Sequence, residues 1–385
     1  MKMKLLTIFL AIALISAGVA IAANSKERYF VKTNSKLLKS LTGVNHEFKH
    51  GYTTELTKDE LKAMKALGVE VEPVAVYQTL GRPVCGDGVC QGNEARTCPA
   101  DCSGAVEERT CYPSSQIPYG VAMVNGGNGG ANVNVAVLDT GVAKHPDLDV
   151  KVCKDTTKRG IKNGCNDGVG HGTHVAGTIA ANGGFDGKGI YGVAPETNLW
   201  AIKVCKTNGC WADDIATGIR YAADHGANII SMSLGGNSES SLIKDAIDYA
   251  VSKDVLVVAA AGNDGPELGS IDYPGANAKV IAVAAVDNYK NVPSWSSRGL
   301  NDNDYLIETK EVEFAAPGIE IESTYNDGCY AKMSGTSMAT PHIAGLAAKL
   351  WQGSAVATRT YLQSIAQDIG ETGDDPATGL GFVSA

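Results

Sequence analysis

The feature that most constrains this chain is a regular alternation of apolar, strand-like runs with helical segments from about residue 114 to the end. The helical segments have apolar residues at spacings near 3.6, whereas the strand-like runs are short and rich in β-branched residues. This alternation predicts an α/β fold with one largely parallel sheet and helices on both faces. The predicted strands are 133–138, 199–204, 229–232, 255–259 and 280–283, and the predicted helices include 212–223 and 242–251.

The first 22 residues have the composition of a secretory signal peptide. Lys2 and Lys4 form its basic end, residues 5–15 are apolar, and Ala20-Ile21-Ala22 supplies a small-residue cleavage site. No later stretch of the sequence is apolar enough to span a bilayer. We therefore expect a secreted, extracellular protein with no membrane span once the signal is removed.

Residues 23–80 predict a small α+β unit. A strand at 28–31 is followed by a capping box at 57–60, which opens a helix that ends near residue 67. A second short strand is predicted at 69–71. A unit of about 60 residues has a thin core, so we expect it to gain stability from a partner.

Residues 81–110 are a cysteine-rich linker module. Positions 85, 90, 98 and 102 are four of the ten cysteines in the chain, and Gly, Asp, Asn and Pro separate them. Such a segment has almost no apolar core, so two local disulfides of undetermined pairing are expected to hold it together. Disulfides persist in oxidising compartments, in agreement with export, and the tight Cys and His clusters of zinc sites are not found in the sequence.

The charge distribution excludes one class of partner. The formal net charge is −9, and the first 80 residues are net basic, so the rest of the chain is strongly acidic. An acidic body argues against nucleic-acid binding, which needs Lys and Arg to neutralise phosphates. A basic segment ahead of an acidic body favours docking between them, although ordinary surface charge explains the pattern equally well.

Three polar residues stand where chemistry is expected in a parallel sheet. Asp139 follows the apolar run 133–138, His171 opens a glycine-flanked helix start, and Ser337 precedes a small-residue helix. Each alone has an ordinary structural interpretation, as a turn residue or a helix cap. Together they supply an acid, a base and a nucleophile, and the active sites of such sheets form beyond the carboxyl ends of the strands.

The order Asp, His, Ser and the surrounding motifs resemble the subtilisin-like serine proteases, the subtilase family. The resemblance covers nearly all of 114–385. An α/β-hydrolase esterase would instead need the order Ser, Asp, His and a G-x-S-x-G motif, in which Ala339 would replace the last glycine. The motifs that carry the resemblance are Asp139-Thr140-Gly141, His171-Gly172-Thr173-His174, Ser233-Leu234-Gly235-Gly236, Ala261-Gly262-Asn263 and Gly335-Thr336-Ser337-Met338-Ala339.

The resemblance implies a secreted serine endopeptidase that cleaves peptide bonds through an acyl-enzyme. It implies that Ser337 is the nucleophile, His171 the general base and Asp139 the residue that orients the imidazole. Asn263 would stabilise the oxyanion together with the backbone N–H of Ser337. His174 and His342 lie about one helical turn from catalytic positions, and we expect both to pack within their helices.

The resemblance also assigns a substrate-binding segment, Ser233, Leu234, Gly235 and Gly236, and a pocket-floor position, Asp272. A carboxylate at the floor of the primary pocket favours Arg or Lys as the P1 residue of the substrate, the residue whose carbonyl is attacked. Alternatively, Asp272 points to solvent or pairs with a nearby lysine such as Lys279, which leaves the pocket apolar.

Structural calcium and three disulfides are further expectations. Asp147 matches a calcium ligand of the family, and Asp186 lies in a glycine-rich loop that corresponds to a calcium-binding loop. Cys153 and Cys165 bracket one loop, and Cys205 and Cys210 bracket a tight turn, so each is a plausible local pair. Parity then leaves Cys111 and Cys329, a pairing that would hold the start of the mature domain near Ser337.

The resemblance implies a zymogen. Its expected parts are the signal peptide 1–22, an inhibitory prodomain 23–80, the linker module 81–110 and the catalytic domain 111–385. The expected partners are peptide or protein substrates and the chain's own prodomain, and the enzyme is expected to be a monomer. Processing near Leu80 and processing after Arg109 both stay open. An alternative function is a surface-attached binding module whose protease domain acts mainly in self-processing.

Overall fold

The computed structural model describes residues 25–80, the backbone of 82–83, and residues 111–385. The predicted signal peptide 1–22 lies outside the described residues, as does the linker module 81–110 apart from the backbone of 82–83. Within these described ranges, no helix has the length and apolar character that crossing a membrane requires.

The N-terminal unit (residues 25–80) is built on an antiparallel sheet with strand order β2-β3-β1-β4. The capping box at its second helix is formed, with Thr57 and Glu60 each accepting from the other's backbone N–H. Its elements, with the two strands that follow, are β1 Glu27–Val31, α1 Lys36–Thr42, β2 Glu47–Phe48, β3 Gly51–Leu56, α2 Lys58–Ala66, β4 Val71–Pro73, β5 Val76–Thr79 and β6 Arg82–Pro83.

Two details of this unit differ from the sequence prediction. The second strand begins at Val71 rather than at residue 69, because Gly68 turns the chain with a positive φ of 74° before Val71 pairs with Val31. Helix α1 was not predicted; it begins where the Ser35 hydroxyl accepts the Leu38 N–H, and none of its residues is fully buried. The small core of the unit consists of Val31, Tyr52, Leu56 and Met64.

The large domain (residues 111–385) contains an eight-stranded sheet with order β17-β16-β15-β13-β7-β10-β8-β9. All its neighbouring strands are parallel except β8 and β9. Its elements are α3 Tyr119–Met123, β7 Asn134–Asp139, β8 Val150–Asp155, β9 Lys162–Asn163, α4 His171–Ala180, β10 Asn198–Lys203, β11 Cys205–Lys206, β12 Gly209–Trp211, α5 Ala212–Asp224, β13 Ile229–Met232, β14 Leu234–Gly235, α6 Ser241–Ser252, β15 Leu256–Ala260, β16 Ile281–Val286, β17 Phe314–Pro317, β18 Ile321–Thr324, β19 Tyr330–Ser334, α7 Thr336–Lys349 and α8 Ala355–Ile365.

The fold class predicted from the alternating pattern is confirmed. The five predicted strands correspond to β7, β10, β13, β15 and β16, and their side chains are buried between two apolar layers. Helices α4 and α7 pack on one face, whereas α5 and α6 pack on the other. The sequence analysis did not predict the other three strands of this sheet, β8, β9 and β17, of which β8 is only partly buried and β9 contains just two exposed residues.

Two short sheets join the N-terminal unit to the large domain. Strand β5 lies antiparallel between β12 and β14. Strand β6 pairs antiparallel with the end of β19, through Met333 and Ser334. The chain that leaves the N-terminal unit therefore pairs with the large domain on both sides of residue 81, as an added strand does in peptide recognition.

The three disulfides of the described residues lie in the large domain. They join Cys153 to Cys165, Cys205 to Cys210, and Cys111 to Cys329. The last of these links the first described residue of the domain to the turn before β19, 218 positions further on. On the entropic account of cross-links, closing the longest loop restricts the unfolded chain most.

Candidate active site

Asp139 and His171 meet at the carboxyl edge of the parallel sheet. Asp139 is the last residue of β7, and His171 is the first residue of α4. The His171 Nδ1 atom and the Asp139 Oδ1 atom are 2.8 Å apart, and both side chains are at least 97% buried. The buried carboxylate therefore fixes one ring nitrogen, and the other nitrogen, Nε2, has no hydrogen-bond partner within the described residues.

The start of α4 is built so that the imidazole can reach this carboxylate. The Asp167 carboxylate caps the helix by accepting hydrogen bonds from Val169 N, Gly170 N, Thr173 N and Thr173 Oγ1, all at 2.7–2.9 Å. Gly172 lies directly against the turn after β7, where a Cβ atom would stand only 2.1 Å from the Gly141 carbonyl oxygen. A side chain at this position would push the helix, and His171 with it, away from Asp139.

Ser337 lies in the first turn of α7, where it faces the turn after β13. Its Oγ donates to the Ser233 carbonyl oxygen at 2.8 Å, while the Ser233 hydroxyl donates to the Ser337 carbonyl oxygen at 2.8 Å. Among the hydrogen bonds of the described residues, none joins Ser337 Oγ to His171 Nε2. The hydroxyl is thus held at the site in an orientation directed to Ser233.

Asn263 follows β15, and its side-chain amide is fixed in orientation. The Asn263 Oδ1 atom accepts from both the backbone N–H and the hydroxyl of Thr336, at 3.0 and 3.1 Å. The Nδ2 group is therefore directed to the opposite side, where it donates to the Leu80 carbonyl oxygen at 2.6 Å. A carbonyl at this position accepts a hydrogen bond from a donor that the protein has already oriented.

Leu80 makes contacts at this site that the sequence analysis did not predict. Its backbone N–H lies 2.9 Å from Ser337 Oγ and 3.4 Å from the Ser233 carbonyl oxygen. Strands β5 and β6 pair with the large domain on the two sides of this residue. The segment around Leu80 therefore occupies the site as an extended, strand-paired peptide.

The half-buried Leu80 side chain approaches Asp272 in a space beside the site, which we call the pocket. Its walls are the turn around Gly235 and the segment at Tyr273, which are bridged because Gly236 and Tyr273 exchange two backbone hydrogen bonds of 2.9 Å. An added Cβ at Gly235 would be 2.8 Å from both Leu80 Cδ1 and Asp272 Oδ2. The glycine therefore leaves the space in which the leucine side chain and the Asp272 carboxyl group come close together.

Asp272 is buried in this pocket. Only 3% of the residue is exposed. Burial, with a smaller contribution from Asp264, raises the pKa of the Asp272 carboxyl to about 7. Lys279, the lysine considered as its partner, is instead paired with Asp248 at 2.7 Å. Neither alternative placement, in solvent or on Lys279, is found.

The two residues suggested as calcium ligands meet at the glycine-rich loop 182–189, which carries Asp186 and which Asp147 contacts from another segment. The Asp147 Oδ2 atom accepts from Ile190 N and from the Tyr330 hydroxyl, each at 2.8 Å. Its Oδ1 atom is near Gly184, and so is the Asp186 Oδ1 atom, at 2.8 and 3.8 Å from an added Cβ. Two carboxylate oxygens thus lie near the same loop residue, and carboxylate oxygens suit a hard cation.

His174 and His342 are both fully buried within their helices. His174 Nε2 is 2.8 Å from the Ile321 carbonyl oxygen, and His342 Nδ1 is 2.8 Å from the Met338 carbonyl oxygen. Burial lowers the pKa of His174 to about 3 and that of His342 to about 4. Both imidazoles are therefore neutral and structural at ordinary pH.

A buried charge cluster, which the sequence analysis also missed, holds the N-terminal unit on the large domain. Arg28 Nη1 lies 3.0 Å from one carboxylate oxygen of each of Asp213 and Asp214, at the start of α5. His46 Nε2 is 2.9 Å from Asp214, and the Thr53 hydroxyl donates to Asp213 at 2.6 Å. We call these five residues the clasp. The sequence does show two adjacent acids at a predicted helix start. Acids in that position are usually exposed, so they did not indicate a buried cluster.

The parallel sheet, the Asp–His contact at its carboxyl edge and the serine at the start of a helix define the class of serine endopeptidases with an α/β fold. Residues 130–381 match the subtilase family, and the chain belongs to this family. The resemblance drawn from the motifs is thereby confirmed.

Known relatives agree with this assignment. Subtilisin of Bacillus sp. (strain TA39) is 39% identical over 426 aligned positions, which cover 98% of this chain and 97% of that protein. Subtilisin Savinase of Lederbergia lenta is also 39% identical and covers 71% of this chain and 98% of its own length. Among solved structures, a psychrophilic protease and Sphericase each align with a TM-score of 0.68, at 48% and 47% identity, and cover 70% of this chain and 99% of their own.

Proposed function

We propose that this serine endopeptidase works through Asp139, His171 and Ser337, and that it is made as a zymogen whose own chain occupies the active site. The observation that carries the proposal is the position of Leu80. Its carbonyl oxygen accepts from Asn263, while its N–H contacts Ser337 Oγ. The peptide bond after Leu80 is thus presented to the candidate nucleophile and to a candidate oxyanion donor at once.

The chemistry follows from the partners of each side chain. Ser337 Oγ leaves the Ser233 carbonyl, attacks the substrate carbonyl carbon and passes its proton to the free Nε2 of His171. The Asp139 carboxylate holds Nδ1–H and stabilises the imidazolium that forms. The leaving amine takes the proton from Nε2, and water then releases the acyl group by the same steps in reverse order.

Charge that develops on the substrate oxygen requires donors that are already in place. Asn263 Nδ2 supplies one donor, because Thr336 fixes the other end of the amide. The backbone N–H of Ser337, at the start of α7, is proposed as the second donor. Neither donor has to reorganise when the oxyanion forms, so the stabilisation acts in full at the transition state.

The N-terminal unit is proposed to be an inhibitory prodomain, 23–80. Strand β5 fills the unprimed side of the cleft, on the N-terminal side of the bond to be cleaved, between β12 and β14. The clasp holds the rest of the unit against α5. Of the two processing sites left open by the sequence, these contacts support cleavage between Leu80 and Gly81 rather than a first cut after Arg109.

The remaining organisation is proposed from the sequence. A signal peptide at 1–22 directs secretion, 81–110 is a cysteine-rich linker, and 111–385 is the catalytic domain, which acts as a monomer on peptides or proteins. The family match lies in the protease domain. It does not favour the alternative of a surface-attached binding module whose protease serves only self-processing.

Substrate selection is proposed to depend on Ser233, Leu234, Gly235, Gly236 and Asp272. The segment 233–236 pairs with the extended chain through β14 and through the Ser233 carbonyl oxygen. Asp272 forms the floor of the pocket that receives the P1 side chain. Its carboxyl group, when ionised, would favour Arg or Lys there, because charge-assisted hydrogen bonds at a desolvated site are strong.

Calcium is proposed as a structural ion. Asp147 would hold it through Oδ1, because its Oδ2 is already used by Ile190 N and the Tyr330 hydroxyl. Asp186 would add a second carboxylate from the loop. The bound ion would contribute structural stability by neutralising these carboxylates and fixing the loop that carries them.

The catalytic assignment is tested by labelling with a serine-directed phosphonate. Wild-type enzyme should be labelled on Ser337 and lose its peptidase activity. A Ser337→Ala variant should be neither labelled nor active, whereas a Ser241→Ala variant, changed at an exposed helix start, should behave as wild type. Peptide hydrolysis by folded Ser337→Ala protein at the wild-type rate would show that another residue is the nucleophile.

A further inference from the structure

The pocket at Leu80 combines two features that do not match in charge. The side chain that approaches it is the apolar Leu80, yet the group that it meets beside Gly235 is the carboxyl of Asp272, a residue that is 97% buried. No side chain of the described residues donates a hydrogen bond to this carboxyl group, and no lysine or arginine of those residues forms an ion pair with it. A buried carboxylate without such a partner is costly.

The groups that face Asp272 do not compensate its charge. Asp264, across the turn after β15, is itself acidic, and its charge opposes ionisation of Asp272. Tyr77, from β5, is neutral and donates its hydroxyl to the Ser238 carbonyl oxygen at 2.7 Å. Gly235 and Gly262 contribute only backbone. The Ser297 hydroxyl, near Gly262, accepts a hydrogen bond from the Asp264 N–H at 3.0 Å.

These surroundings give the pocket two chemical states. With a proton on Asp272, the floor is neutral and tolerates an apolar side chain such as that of Leu80. Without the proton, the floor carries a buried charge for which the described residues offer no cation. A P1 Arg or Lys would supply that cation inside the pocket, and its binding would in turn favour the ionised carboxylate.

We propose that Asp272 makes the P1 preference of this protease depend on pH, with leucine-like side chains accepted in acid and arginine or lysine increasingly favoured in base. This inference rests on the proposed function. On this account the preference for Arg or Lys at P1 is not a fixed property of the enzyme. It appears only as Asp272 ionises. It also explains how one pocket can accept Leu80 of the precursor and a basic residue in other substrates.

The proposal is tested with three matched peptides that differ only at P1, which is Leu, Arg or citrulline. Citrulline has nearly the shape of arginine without its charge. We expect the ratio of kcat/KM for Arg over Leu to rise by about tenfold or more between pH 5.5 and pH 9. The ratio for citrulline over Leu should change little, because both side chains are uncharged and neither can pair with the ionised carboxylate of Asp272.

A ratio of two substrates is chosen because it removes other pH effects. Protonation steps of the catalytic machinery affect the peptides equally and cancel, and so does the fraction of enzyme that is folded. Arginine stays protonated throughout this range, so the substrate does not titrate. If no peptide is cleaved at any pH, the proposed function has failed; if Leu is cleaved and the Arg/Leu ratio is flat, only this inference has failed.

Two variants locate the titrating group. In Asp272→Asn the Arg/Leu ratio should lose its pH dependence, since the amide keeps the size of the carboxyl but cannot ionise. In Asp264→Asn the rise should remain but shift to lower pH, because the opposing charge is gone. A ratio that rises equally in wild type and Asp272→Asn would assign the effect to another group and overturn the proposal.

Discussion

The side-chain amide of Asn263 donates to the carbonyl oxygen of Leu80 at 2.6 Å, although 183 positions separate the two residues. This contact places the end of the N-terminal unit where a substrate carbonyl would be polarised. The Asn263 amide is therefore proposed both to stabilise the oxyanion and to bind the end of the N-terminal unit in the precursor.

Replacing Asn263 by Ala should slow hydrolysis more than it weakens substrate binding. Loss of one oxyanion-hole donor costs about a hundredfold to a thousandfold in kcat in subtilisin, and we expect a loss of that size here with a small change in KM. The measurement is steady-state kinetics on a soluble peptide. A Thr336→Val variant, which keeps the backbone donor to Asn263 Oδ1 but loses the hydroxyl, should be affected less. A change in KM alone would contradict the role of Asn263.

The clasp should control how tightly the cleaved prodomain is held. Arg28→Ala leaves Asp213 and Asp214 buried with fewer partners, and removing one member of a buried charge cluster costs several kcal/mol. Peptidase activity should therefore appear sooner after processing than in wild type. This is measured as the lag before hydrolysis of a fluorogenic peptide.

A matched control for the clasp is Lys32→Ala. Lys32 is a cation of the same unit, but its ion pairs with Glu70 and Glu72 lie within that unit and at its surface. Surface pairs contribute little, so the lag should stay close to the wild-type value. Equal lags in Arg28→Ala and wild type would show that the clasp does not limit release.

The fold and the catalytic residues were predictable from the sequence to different degrees. The run of apolar residues before Asp139 predicts a buried strand. The position of Asp139 at the edge of the sheet therefore followed from the pattern alone. The pairing of Asp139 with His171 followed from the resemblance to subtilases. The clasp did not follow, because Arg28 and Asp213 are 185 positions apart and only tertiary packing buries Asp213 beside Arg28.

The surroundings of the Asp272 carboxyl group could not be predicted from the sequence. The motif placed Asp272 in the pocket, but it left open whether the carboxyl group would face solvent, Lys279 or substrate. The outcome depends on the ion pair that Lys279 forms with Asp248 instead. It also depends on how closely Gly235 allows Leu80 to approach Asp272. Such choices are decided by packing between distant segments and not by local propensity.

His342 should make the large domain sensitive to acid. Its pKa in the folded state, about 4, lies below the usual value near 6.5, so the unfolded chain takes up a proton first as the pH falls. Stability is therefore lost between about pH 6.5 and pH 4. The comparison is made in a Ser337→Ala background, which prevents autolysis. Between pH 7 and pH 4.5 the unfolding free energy of this parent should fall. In the His342→Leu variant the fall should be smaller by about 2–3 kcal/mol. Parallel pH profiles would contradict this role.

Calcium should stabilise the protein through Asp147. Adding a chelator is expected to lower the Tm of the parent, whereas Asp147→Asn should start with a low Tm that the chelator hardly changes. Asp149→Asn is the matched control, because Asp149 is exposed and pairs with Lys151 at the surface. Thermal denaturation with and without added calcium measures all three. A chelator effect of equal size in Asp147→Asn and the parent would exclude Asp147 as a ligand.

The central claim is that the protease presents the bond after Leu80 to its own Ser337. Mass spectrometry of the N-terminal fragment released by the full-length precursor tests it most directly. The wild-type protein should release a fragment that ends at Leu80, and Ser337→Ala, produced without any active protease, should keep residues 80 and 81 joined. A wild-type fragment ending elsewhere, or the same fragment released from Ser337→Ala, would contradict the claim.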